Sequence, residues 1–257
     1  MELRGLGPFF LLLAFLQAVP AQADLDERGL SDAPGEILGL SRIEFEYRAR
    51  REMAAKGDTE AKYQLFVFVQ KNRSELNDEM PVAIGFLREA ANQGNLDAQF
   101  ALGLSLLEGD IEESEPKEAL SWLEAAASSG HYRARYWAGD GHSRIYKESK
   151  NEKDIADAIG HAEYWWLGLV DDPGVPADIA LDAQRRLGLL YVRLSQQDTR
   201  GWDLLMDAAN RGHESSLTSL KDLRKLMQRL VEKGYEEAVP LLDRLDHYFE
   251  SRHQPAG

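Results

Sequence analysis

A short block recurs along this chain, and its recurrence limits the possible folds more than any other feature. Ala90-Ala91-Asn92-Gln93-Gly94 is followed by Ala98 and Gly103, and Ala126-Ala127-Ser128-Ser129-Gly130 is followed by Ala134 and Gly139. The two glycines Gly94 and Gly130 lie 36 residues apart. Self-similarity at such a period marks a stack of identical supersecondary units rather than one closed core. Partial copies flank this pair. Ala54-Ala55-Lys56-Gly57 leads to Ala61 and Leu65, and Ala208-Ala209-Asn210-Arg211-Gly212 has Ser216 where the others have alanine. Ala183 to Gly188, continuing into Leu189-Leu190-Tyr191, carries the second half of the block, with its turn replaced by Asp171-Asp172-Pro173-Gly174-Val175-Pro176. Gly234 with Ala238 follows Gly212 after only 22 residues and reads as a terminal cap, since end units of repeat arrays are atypical.

The unit is helical. Counting from Ala83, apolar residues fall at offsets of 3, 4, 7 and 8 (Phe86, Leu87, Ala90, Ala91), and the same offsets recur from Ala119, Ala162 and Gly201. That spacing is one face of an α-helix. Pro81, Pro116 and Pro176 stand near predicted helix starts, where a missing N–H costs little. The turn glycines can take positive φ and end the helix. The Ala and Gly after each turn predict a second helix packed closely where side chains are small. Phe66-Val67-Phe68-Val69 has strand propensity, but the repeat requires the end of a helix there and we assign it as helical.

Composition narrows the function classes. The 257 residues are 44% hydrophobic and 29% charged, enough for a core and a solvated surface, with a formal net charge of −14. That sign argues against nucleic acid, whose phosphates require clustered Lys and Arg, and against anionic membrane surfaces. The chain has no cysteine, which excludes disulfides, thiolate metal sites and cysteine nucleophiles. At the N-terminus Arg4 precedes an apolar run from Phe9 to Leu16, Val19-Pro20 breaks it, and Ala21-Gln22-Ala23 is a small-x-small site before the polar Asp24-Leu25-Asp26-Glu27-Arg28. This has the parts of a secretory signal peptide cleaved after Ala23, with an uncleaved anchor or a buried apolar helix as the alternatives. Lack of cysteine suits the bacterial periplasm, where thiols are oxidised.

The blocks resemble Sel1-like repeats, a branch of the tetratricopeptide-like α/α repeats. Ala183 to Tyr191 and Ala90 to Gly103 match the pattern closely, and the units at Gly57, Gly130 and Gly212 match it in part. The resemblance implies an all-α superhelical solenoid of about five to six helix-turn-helix repeats over residues 41–250. Residues 1–23 are then the signal peptide, 24–40 a linker and 251–257 a tail. It assigns Gly57, Gly94, Ala98, Gly103, Gly130, Ala134, Gly139, Ala183, Gly188 and Gly212 to the repeat framework. The segment from Gly139 to Glu163 departs from the pattern: it lacks the usual Gly-x-Gly loop and carries the charged run Lys147 to Asp154. Paired cysteines, present in one exported branch of the family, are missing, so any enzymatic activity of that branch is not carried over.

Motifs for chemistry are few. No two histidines have the His-x-x-x-His spacing that puts two ligands on one helix face, so the sequence argues for no metal. Glu108, Asp110, Glu112, Glu113 and Glu115 form an acidic loop without the ordered calcium-binding pattern. Asp140-Gly141-His142-Ser143 puts acid, base and hydroxyl together in sequence, but helical neighbours do not face one another. The middle units instead concentrate aromatics. Periodic aromatics usually pack inside, yet Trp and Tyr also dominate binding hot spots. Tyr136, Tyr146, Trp165 and Trp166 are therefore candidates either for core or for anchors beside a partner groove.

The sequence thus predicts an exported, non-catalytic scaffold with no cofactor. Its partner would be another protein, periplasmic or envelope-associated, with no strong membrane association once the leader is removed. A secreted effector, a membrane-tethered assembly factor and, less favoured, a periplasmic hydrolase are the alternatives.

Overall fold

A computed structural model describes residues 41–111, 116–195 and 199–253. The predicted signal peptide, the 24–40 linker, the Glu112-Glu113-Ser114-Glu115 part of the acidic loop and the last four residues of the tail lie outside these. Among the described residues the regular structure is α-helix with two 3-10 turns, and there is no strand. Phe66 to Val69 lie within a helix, as the repeat requires.

Two units divide the chain between Arg48 and Ala49. Of the first, the described part is the beginning of α1 (Arg42–Ala55), where Ser41 and Glu44 cap each other: Glu44 N–H donates to the Ser41 hydroxyl and Ser41 N–H to the Glu44 carboxylate. The second unit holds the array. Its helices are α2 (Thr59–Lys71), the single turn α3 (Arg73–Leu76), α4 (Met80–Asn92), α5 (Leu96–Leu107), α6 (Pro116–Ser128) and α7 (Tyr132–Glu148). There follow α8 (Glu152–Val170), α9 (Ala177–Leu194), α10 (Arg200–Asn210), α11 (Glu214–Glu232) and α12 (Val239–His253). α4 packs on α2, and from α5 onward each helix packs on the one before and the one after it, with weak contact two helices away at α5/α7 and α9/α11. Such neighbour-only packing is that of an α-solenoid.

The turns explain the sequence block. Gly57, Gly94, Gly130, Gly212 and Gly234 all have positive φ, between 86° and 98°. At Gly94 the chain reverses through N–H groups of Gly94 and Asn95 that donate to Ala91 and Ala90 carbonyls at 3.0 and 3.1 Å. The residue after the glycine then starts the next helix. Asp58, Asn95 and His131 each accept, through the side chain, the N–H three residues on. Hence a histidine can stand after a turn glycine for a structural reason: His131 Nδ1 takes the Ala134 N–H at 3.0 Å.

Small residues set the helix separation. Ala98 and Ala134 are fully buried. A Cβ built on Gly103 would lie 2.8 Å from Leu123 Cγ, and one on Gly188 would lie 2.9 Å from the Gly201 carbonyl of α10. Apolar clusters along the array are centred on Leu123 and Ala126, on Trp166 and Leu187, and on Trp202 and Leu220. No helix among the described residues is long and apolar enough to cross a membrane.

Candidate functional site

The irregular middle unit, α7 to α9, holds the buried polar residues Asp140, His142, Ser143 and Gln184 and the buried aromatics Trp165, Trp166 and Tyr191. Its charged run Lys147 to Asp154 ends α7, turns, and restarts as α8, where the Asn151 side chain accepts the N–H groups of Lys153 and Asp154. The long helices on either side place three features side by side.

The first is the aromatic set. Trp165 and Trp166 are adjacent in α8 and point into different clusters. Trp165 packs backward with Phe100, Leu123, Ala134 and Ala138. Trp166 packs forward with Leu169, Ala183, Leu187 and Leu190 of its own helix and α9. Consecutive helical residues project about 100° apart, so one dipeptide serves the cores of two successive units. Trp166 is 2% exposed and its Nε1 donates to the Tyr136 carbonyl at 3.2 Å. Trp165 is 9% exposed. Tyr136 and Tyr146 are half-buried against the forward cluster.

The second is an ionic network between α7 and α9. Tyr136 OH donates to Asp182, Arg186 pairs with both Asp140 and Asp182, and Arg185 Nε donates to Asp182 at 2.7 Å. Arg144 extends it, from Asp140 at 2.9 Å to Glu108 at 2.7 Å. Burial alone would raise the Asp182 carboxyl, but the hydrogen bonds from Arg185, Tyr136 and Arg186 outweigh it and hold it at about 2. Burial, then the hydrogen bond to Asp182, pushes the Tyr136 phenol up to about 12. Beside this network lies a cavity of about 210 Å³ whose wall includes Tyr146, Lys147, Trp166, Arg185, Arg186 and Arg193. Arg193 and Lys147 are exposed there, and neither has an ion-pair partner among the described residues.

The third was not visible in the sequence. Glu124 of α6, His142 of α7 and His161 of α8 meet on one side of the array. Their potential ligand atoms all lie within 4.8 Å of one another. His142 Nε2 is 2.7 Å from Glu124 Oε1, and the His142 and His161 rings stack with centroids 4.6 Å apart at 14°. The hydrogen bond with His142 is the largest influence on the Glu124 carboxyl and holds it, against burial, below the usual range. The Glu124, His161 and Trp165 side chains line a recess of about 610 Å³. Sequence spacing argued against a metal here because it tests pairs on one helix; these three residues come from three helices.

The remaining sequence candidates separate. Asp140 turns to Arg186 on α9, while His142 turns to Glu124 on α6 and Ser143 lines the cavity on the α9 side, so the Asp-x-His-Ser run does not converge. In the acidic loop Glu108 pairs with Arg144 and Asp110 with Arg73.

No family model matches the chain, and no curated protein matches it. Solved structures similar to it include a Sel1 repeat protein from Oxalobacter formigenes, at 21% identity over 91% of this chain and 74% of that one, with a TM-score of 0.40. A protective antigen with an SLR fold, present in uropathogenic Escherichia coli strains, is 18% identical over 82% of this chain and 51% of that one, with a TM-score of 0.38. A Sel1 repeat protein from Klebsiella pneumoniae subsp. pneumoniae is 17% identical over 78% of this chain and 99% of that one, with a TM-score of 0.43.

Proposed function

We propose that this chain is an exported, non-catalytic scaffold whose middle unit holds another envelope-associated protein by an acidic segment of that partner. One observation carries the reading. In a chain of net charge −14, Arg193 and Lys147 stand unpaired at one cavity, next to Arg185, Arg186 and the rings of Tyr146 and Trp166. Other cations of the described residues are paired with carboxylates, as at Arg88–Glu118, Arg135–Asp172 and Arg244–Asp203, or stand alone on the surface; these two stand where further guanidinium groups and aromatic rings line one cavity. Guanidinium groups offer a planar fork to a carboxylate, and an adjacent aromatic wall adds apolar contact. An acidic stretch bearing an apolar residue fits that chemistry, and the rest of this acidic surface repels it elsewhere. Export is part of the same reading and rests on the leader from Arg4 to Ala23.

The test compares the wild-type chain with Arg193→Glu as bait in a crosslinking pull-down from periplasmic extract. The expected result is a partner crosslinked through an acidic segment, with recovery at least ten-fold lower for Arg193→Glu at unchanged helicity. Equal recovery by both baits overturns the reading. N-terminal sequencing of the exported protein is expected to begin at Asp24; a chain beginning near Met1 and fixed in the inner membrane makes the segment an anchor and overturns the cleavage alone.

A further inference from the structure

We propose that Glu124, His142 and His161 form a binding site for a divalent transition-metal ion of the zinc class, linking α6, α7 and α8. Two imidazoles and one carboxylate are the donor set that such ions take when one coordination position stays open to solvent. The geometry is close to what an ion needs. Ligand atoms around a tetrahedral zinc lie about 3.3–3.5 Å apart, given bonds of about 2.0–2.1 Å. Here the three candidate atoms lie within 4.8 Å; Glu124 and His142, hydrogen-bonded at 2.7 Å, would exchange that bond for the ion and part slightly. His161 is exposed, so its ring can turn to bring a nitrogen to the shared point, whereas His142 is buried and held.

A second observation points to something in the recess. The Trp165 indole lines the same recess as Glu124 and His161, and its buried Nε1 makes no well-formed hydrogen bond, only a weak one toward the Glu124 carboxylate. A buried donor left with a poorly formed hydrogen bond is costly, and a better acceptor in the recess would relieve it. Nε1 cannot ligate a cation, but it can donate to an oxygen bound to one, either water at the open position or the Glu124 carboxylate.

The same three side chains could instead form a hydrogen-bonded polar contact between helices with no ion, and the experiment separates the two. The probe is zinc sulfate titrated calorimetrically into the purified full chain carrying no affinity tag, alongside His161→Ala, Glu124→Gln and, as a control outside the cluster, His247→Ala. The expected result is one saturable equivalent for wild type and His247→Ala. Affinity should fall at least ten-fold in His161→Ala and Glu124→Gln. His161 is exposed, so its variant keeps the fold, which the far-ultraviolet spectrum checks. Cobalt in place of zinc should give visible absorption and quench tryptophan emission, with less quenching in Trp165→Phe. Zinc should also raise the melting temperature of wild type and leave that of His161→Ala unmoved. Absence of saturable binding, or equal binding by wild type and His161→Ala, overturns the proposal.

Discussion

The indole of Trp166 occupies the space that a side chain at Gly139 would need: a Cβ built on Gly139 would lie 2.5 Å from Trp166 Nε1. The ring cannot retreat freely, because Nε1 is bonded to the Tyr136 carbonyl one turn earlier in α7. Gly139→Ala should therefore destabilise the protein by roughly 1–3 kcal/mol through overpacking. Gly160 is the internal control, since a Cβ there meets nothing within 4 Å. Gly160→Ala should be neutral or stabilising by up to about 1 kcal/mol, as a helix-interior glycine is replaced. Urea denaturation of the two variants checks both signs.

Ala98 is fully buried beside a turn, three residues after the cap Asn95. Ala98→Leu should cost roughly 1–3 kcal/mol and lower the melting temperature by several degrees. An unchanged melting curve would mean that the second helix of the unit is not packed through this position.

Trp166 and Arg193, which line the same cavity, should divide by role. Trp166→Ala removes a large buried ring and should cost about 3–5 kcal/mol of stability. Arg193→Ala removes an exposed, unpaired cation and should change stability by less than about 0.5 kcal/mol while weakening partner capture. Thermal denaturation and pull-down on the same two preparations give the two readings; loss of capture in proportion to unfolding for both would place the partner elsewhere.

Acid should weaken the α7–α9 network. Asp182 titrates near 2 in the folded chain against an ordinary value of 3.8. A depressed folded value means that its contribution is complete above about pH 4 and is lost as pH falls toward 2, amounting to roughly 1 kcal/mol after solvent screening. Tyr136, raised from 10.0 to about 12, has the opposite sign: its contribution is complete below about pH 10 and is lost as pH rises toward 12. Denaturant midpoints measured across both limbs should flatten at low pH in Asp182→Asn and at high pH in Tyr136→Phe.

How far the sequence could be read follows from range. The turn glycines and the capping residues Asp58, Asn95 and His131 act within four residues of themselves, so their demands are written locally and repeat visibly. The double duty of Trp165 and Trp166 was half legible: their offsets from Ala162 marked a buried face, but not that the two rings serve different units. The Asp140–Arg186 and Tyr136–Asp182 pairs each span 46 residues, and no periodicity links them. Glu124, His142 and His161 were invisible for the same reason, since their meeting depends on the stagger of three helices, a quantity no spacing rule within one helix reports.

The ionic network joining α7 to α9 has a mechanical consequence. Where successive helices touch only their neighbours, an array bends like links in series, and its most compliant joint governs how far the ends can travel. A side-chain strut that skips one helix, from Asp140 and Tyr136 across to Arg186 and Asp182, stiffens the joint it spans. Because that strut is partly solvated and made of charge, its stiffness should soften as ionic strength rises and the screening length shrinks below about 10 Å. The centre of the array should then behave as a salt-tuned spring, stiffer than the flanking units, where single pairs such as Arg88–Glu118 and Arg244–Asp203 make the same skip with fewer charges.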